Sequence, residues 1–174
     1  MTALLDLFQR RPRLVLALVA AISVAMLAFG MYLQHVQHLE PCPMCIVQRY
    51  ALIGVALVAG GAACFKNRFW LYGGVIKMGV LAGFGAFTAG RQSWLQWYPP
   101  EVLTCGRDFF GMIESFPLRR AVPMIFRGSG DCSVIDWTFL GLSIANWSFL
   151  WFAAFTAVAA LLWWRRPRVA AAAA

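Results

Sequence analysis

Residues Leu14–Leu33 read LVLALVAAISVAMLAFGMYL, twenty consecutive positions without a charge. A helix needs about 20 apolar residues to cross a hydrocarbon core of roughly 30 Å. Three further stretches meet that requirement. Tyr50–Phe65 is uncharged and extends back to Ile46 if Arg49 sits at its end. Phe69–Gly90 is apolar except for Lys77, and Leu142–Trp164 carries no charge. The sequence therefore predicts one all-α membrane domain over 1–174, with transmembrane helices at about 14–33, 46–65, 70–90 and 142–164. The first is too long, and too poorly followed by small residues, for a cleaved signal peptide, so it is expected to stay as an anchor. The composition agrees. Of 174 residues, 61% are hydrophobic and 13% charged, whereas soluble domains run near half apolar and a quarter charged. That excludes an ordinary cytosolic globule, and the same apolar richness excludes disorder.

The net charge of +8 is a topological signal. Arg10, Arg11 and Arg13 precede the first span. Lys66 and Arg68 lie between the second and third. Arg165, Arg166 and Arg168 follow the fourth. The long segment between the third and fourth spans instead balances Arg91, Arg107, Arg119, Arg120 and Arg127 against Glu101, Asp108, Glu114, Asp131 and Asp136. Basic residues stay on the cytoplasmic side. Both termini are thus expected in the cytoplasm, and the loops at about 34–45 and 91–141 outside. Nucleic-acid binding is excluded on this reading. Trp163 and Trp164, and Trp94, Trp97 and Tyr98, suit interfacial belts at the two ends. Lys77, within a span, reads as a snorkelling side chain. His35 reads as a solvated interface residue. In the long outer loop, residues 109–126 mix Phe110, Met112, Ile113 and Phe116 with Glu114, Arg119 and Arg120. That pattern predicts short amphipathic helices on the membrane face, interrupted at Pro117 and Pro123.

Four of the five cysteines fall outside. Cys42 and Cys45 form Cys-Pro-Met-Cys in the first outer loop, and Cys105 and Cys132 lie in the second. Cys64 falls at the inner end of the second span and is expected to be a buried small hydrophobe. Two residues between cysteines is the spacing of a reversible dithiol. A helix beginning near Met44 puts Cys45 in its first turn, where unpaired backbone N–H groups carry partial positive charge. Arg49 lies one turn further on the same face. Both favour negative charge on the Cys45 sulfur, the reactive form of cysteine. Structural zinc would want two tight pairs, and 26 residues separate Cys105 from Cys132. Two inert structural disulfides are the other alternative. Two redox pairs on one face suggest a relay by thiol–disulfide exchange. With no haem, flavin or iron–sulfur pattern in the chain, a quinone dissolved in the bilayer is the natural acceptor beside Cys45.

Several segments resemble one family. Pro41-Cys42-Pro43-Met44-Cys45-Ile46-Val47-Gln48-Arg49, Leu95-Gln96-Trp97-Tyr98-Pro99, Ser129-Gly130-Asp131-Cys132 and Trp137-Thr138-Phe139-Leu140-Gly141-Leu142 are similar to those of the disulfide bond formation protein B (DsbB) family. The resemblance runs from the first span through the fourth. It implies a four-helix bundle in the bacterial inner membrane. It also implies oxidation of a periplasmic thioredoxin-like partner of the DsbA type and reduction of ubiquinone or menaquinone. Carried over by position, a partner thiolate attacks Cys105 of a Cys105–Cys132 disulfide. Cys132 then attacks Cys42, and the freed Cys45 donates to the quinone, with Arg49 stabilising the charge-transfer state. The chain departs from the family pattern at Gln92, where a quinone-contacting histidine can stand. Glutamine can donate a hydrogen bond there but carries no proton or charge at neutral pH. Two other readings compete. One is a quinone-linked thiol enzyme like the vitamin K epoxide reductases, whose Cys-x-x-Cys lies late in the bundle. The other is a non-enzymatic membrane protein held by structural disulfides.

Overall fold

The structure is a computed structural model that describes residues 11–39, 41–65, 67–99 and 130–166. Helix α1 spans Pro12–His35, α2 Pro43–Cys64 and α3 Arg68–Trp97. A single turn, α4, covers Gly130–Ser133, and α5 covers Ile144–Trp164. All four long helices are long and apolar enough to cross a membrane. Each start has a local cause. Pro12 and Pro43 stand at first helical positions, where the missing N–H is not needed and φ is already helical. Asn67 accepts a 2.9 Å hydrogen bond from the Phe69 N–H, and Ser143 accepts one of 3.4 Å from the Asn146 N–H.

Two boundaries differ from expectation, and both matter for the site. Helix α3 runs to Trp97 rather than ending near Gly90. Its 30 residues make a rod of about 45 Å, and the chain leaves the helix only at Tyr98, next to Pro99. Arg91 does not stop the helix, because a charge at the end of a span can reach the interface. Helix α2 begins at Pro43, before the span expected at about 46–65 and within one residue of the start expected near Met44, so Cys45 lies in its first turn as expected. Between α4 and α5 a two-stranded hairpin pairs Thr138 with Ser143 and Phe139 with Leu142. Its turn residues have φ of +52° at Leu140 and +76° at Gly141, the left-handed pair that matches the twist of a tight hairpin. The expected amphipathic helices at 109–126 lie outside the described residues.

Helix α3 is the centre of the bundle. It packs against α5 on one side and α2 on the other, and α2 packs against α1. Lipid is as apolar as leucine, so close packing rather than exclusion from water holds such helices together. The seam shows it. The Phe152 ring, 1% exposed, lies so close to Gly85 that a Cβ there would stand 2.6 Å from Cζ. Leu16, Val55, Met78 and Leu162 fill the remaining core. Two buried hydroxyls are satisfied within their own helices, Ser23 donating to the Val19 carbonyl at 2.8 Å and Thr88 to that of Phe84 at 3.0 Å, whereas the buried Ser93 hydroxyl has no partner among the described residues. Lys77 is exposed on the outer surface of α3, as a snorkelling side chain requires. Cys64 corrects an expectation. It is exposed rather than buried, because Ala62, two residues earlier, is the one that packs on Gly74 of α3, and a side chain two positions on points to the opposite side of the helix. At the same end Arg166 lies 3.7 Å over the Trp163 ring, while the Trp94 and Tyr98 rings meet at 4.7 Å, tilted by 34°, at the other.

Candidate functional site

The arrangement of helices leaves α1 and α5 flanking a cleft, floored by α2 and α3 at the end that carries Cys42. The cleft holds a cavity of about 860 Å³. Its walls are largely apolar, including Met26, Phe29, Leu33, Leu52, Ile144, Trp151 and Phe152. An aromatic arc roofs it. Phe29 of α1 meets Trp137 edge-on at 5.7 Å, Trp137 stacks on Phe139 at 6.1 Å, and Phe139 reaches Trp147 of α5 at 6.1 Å. The Trp147 indole N–H donates to the Phe139 carbonyl at 3.0 Å, which fixes the hairpin to α5. Polar groups collect at the cavity's inner corner: Cys45, Gln48, Arg49, Gln92 and Gln96. An apolar chamber with a few convergent polar groups is the usual form of a small-molecule site.

The cysteines meet at that corner. Cys42 caps α2, its sulfur accepting from the Cys45 backbone N–H at 3.3 Å. The Cys42 and Cys45 sulfurs, both thiols, stand 2.8 Å apart. Helix α4, which packs on α3, delivers Cys132 to the same place. Cys132 is fully buried in a cluster with Cys42, Met44 and Leu95, against which Cys45 also packs. Cys132, Cys45 and then burial push the Cys42 thiol far above the ordinary thiol range. Of the four expected redox cysteines, Cys42, Cys45 and Cys132 thus gather in one place. Cys105 lies outside the described residues.

Arg49 and Gln92 both face the cavity, but each does something the sequence did not suggest. The Arg49 guanidinium reaches across to α1, donating to the Gln34 side-chain oxygen and, at 3.1 Å, to the Gly30 carbonyl. It is therefore a fixed cation on the cavity wall. Gln92, expected at a quinone, directs its amide N–H groups at both sulfurs, 3.3 Å from each. Gln48, for which no role was expected, donates to the Gln92 oxygen at 2.7 Å, and the Cys45 thiol donates to the same oxygen at 3.7 Å. The signal was present in the spacing: Gln48 is three residues from Cys45, and thus on its face of the helix. Gln96, one turn after Gln92, accepts from the Ser143 hydroxyl at 2.6 Å and ties α3 to the start of α5. His35 is exposed at the end of α1 and does not line the cavity.

A family model described as disulfide bond formation protein DsbB matches residues 12–162. The chain belongs to the DsbB family. Relatives named disulfide bond formation protein B cover nearly its whole length. That of Acidovorax sp. (strain JS42) is 64% identical over 159 residues, 91% of each chain. That of Polaromonas sp. (strain JS666) is 65% identical over 164 residues, 94% of this chain and 98% of its own. That of Polaromonas naphthalenivorans (strain CJ2) is 69% identical over 142 residues, 82% and 85% of the two chains. Membership of the DsbB family makes this a multi-pass membrane protein of disulfide bond formation. It also fits a site built from three cysteine sulfurs.

Proposed function

We propose that the protein oxidises a periplasmic, thioredoxin-like dithiol protein of the DsbA type and passes the electrons to a membrane quinone. The observation that carries this reading is the position of Cys132 against Cys42, with Cys45 one step further on at the cavity. A thiolate released at Cys132 attacks the Cys42 sulfur of a Cys42–Cys45 disulfide. The Cys132–Cys42 bond forms, the Cys42–Cys45 bond breaks, and the electron pair leaves on Cys45. Attack in that direction is favoured because Cys42 is buried with Cys132 in one cluster, while Cys45 only borders that cluster. Cys105 is the sulfur that receives the partner's thiolate, leaving Cys132 as the departing group. Overall the partner dithiol gives up two electrons and two protons and becomes a disulfide.

The cavity residues fit a quinone acceptor. Apolar walls suit a lipid-soluble ring, and Arg49 is a donor held on the wall by α1. A quinone supplies the acceptor for two electrons and two protons, becoming the quinol. Ubiquinone and menaquinone are both candidates. The basic clusters at the far end of the bundle support a bacterial inner-membrane orientation with termini in the cytoplasm and the cysteine end in the periplasm.

The test is quinone reduction by the purified protein in detergent, followed by absorbance, with a reduced thioredoxin-like periplasmic protein as donor. Catalytic reduction abolished by alkylating the cysteines is expected. A folded protein that reduces neither ubiquinone nor menaquinone analogues overturns the proposal.

A further inference from the structure

A primary amide can meet a sulfur with either end. Its N–H groups donate to an electron-rich sulfur, whereas its oxygen opposes one. The two ends have nearly the same shape, so packing alone does not choose between them. Gln92 is 4% exposed and Gln48 6% exposed, so water does not choose either. The Gln48 N–H donated to the Gln92 oxygen at 2.7 Å holds the Gln92 N–H groups 3.3 Å from both sulfurs; the Cys45 thiol also donates to that oxygen at 3.7 Å, a contact that ends once the sulfur has given up its proton and can only accept.

The geometry points to Gln48 as a positioning residue that fixes the Gln92 amide with its N–H end toward the Cys42–Cys45 sulfur pair. It touches neither sulfur and acts through Gln92. The inference deepens the thiol-exchange reading above and rests on it. When Cys45 becomes the leaving sulfur, a donor is already aimed at it, and no reorganisation of the amide is needed. Arg49 is not available for this task in the same way, since its guanidinium is engaged with Gln34 and Gly30 of α1.

The test is a double-mutant cycle on the fully reduced protein in detergent, read as the rate of iodoacetamide alkylation of Cys45 by peptide mass spectrometry at neutral pH. A hydrogen bond to a charged group is equivalent to about a tenfold effect or more. Gln92→Leu and Gln48→Leu are each expected to slow Cys45 alkylation about tenfold. The double variant is expected to be no slower than Gln92→Leu alone, because Gln48 has nothing left to orient. Multiplying effects, or a wild-type rate in Gln48→Leu, overturn the inference. Gln48→Glu covers the case in which leucine disturbs folding. It keeps the shape but, once ionised, can only accept, drawing the Gln92 N–H groups away from the sulfurs. Slower alkylation is expected, and an unchanged rate overturns the inference. Alkylation needs no quinone, so failure of quinone reduction in the wild type leaves this result to be judged separately.

Discussion

Replacing Arg49 by alanine tests the link between the cavity wall and turnover. The side chain makes two bonds to α1, one to Gln34 and one of 3.1 Å to the Gly30 carbonyl. It also places a fixed cation beside the chamber that Cys45 lines. A hydrogen bond from a charged donor is worth about 1.5–3 kcal/mol. Lost from the reaction's transition state, that corresponds to a fall of about 10- to 150-fold in kcat/KM for the quinone. Arg49→Lys keeps the charge but cannot hold Gln34 and Gly30 together with one planar fork, so a fall of about tenfold is expected. Gln34→Leu leaves the guanidinium and its bond to Gly30 in place and removes only one anchor to α1, so a fall of roughly threefold, about 0.7 kcal/mol, is expected. The assay is the initial rate of quinone reduction against quinone concentration, with thermal midpoints in detergent as the folding control. The order should be Gln34→Leu, then Arg49→Lys, then Arg49→Ala. Arg49→Ala within twofold of wild type would refute the assignment of Arg49 to the acceptor.

Three further outcomes follow from the packing. Cys45→Ser removes the leaving sulfur, so diamide oxidation should trap a Cys42–Cys132 disulfide, visible in a non-reducing peptide map; absence of that linkage would contradict the placement of α4. Cys42 is held protonated by Cys132, Cys45 and burial, so its alkylation in the reduced protein should stay slow even when the pH is raised to about 9, above the ordinary thiol range; a rise in rate through that range would show the thiol ionising normally. Gly85→Ala puts a methyl group against the Phe152 ring. Overpacking of this kind costs about 1–3 kcal/mol, which should lower the thermal midpoint by roughly 5 °C and be relieved by Phe152→Leu; no loss in the single variant would mean that the α3–α5 seam can yield.

Much of the site was legible because its chemistry is written in short spacings. Cys42 and Cys45 are three apart, and Arg49 is one turn beyond, so their shared helix end needs no tertiary information. Gln92 could be singled out by its distance from the Leu-Gln-x-Tyr-Pro segment, but its task could not. An amide is equally able to give or to accept, and only the arrival of Gln48 from another helix decides which. The partners of Arg49 were out of reach for a similar reason. Its helical neighbour Cys45 is visible in the sequence, whereas Gly30 and Gln34 are brought to it by the packing of α1 on α2. The length of α3 was underestimated because Arg91 interrupts the apolar run, although hydrophobicity sets where a span lies rather than where its helix must end.

The sequence by itself determined four membrane spans, their charge asymmetry and the cysteine pair at the start of α2. Those features depend on transfer of side chains into lipid and on helical periodicity, both local. The tertiary structure alone decided that Cys132, 87 positions beyond Cys45 in the chain, stands against Cys42. It also decided that a cavity opens between α1 and α5, and that Gln48 faces Gln92. Such contacts depend on which helix faces pack, and in a bundle whose surfaces are apolar on every side, shape and a few buried hydrogen bonds make that choice.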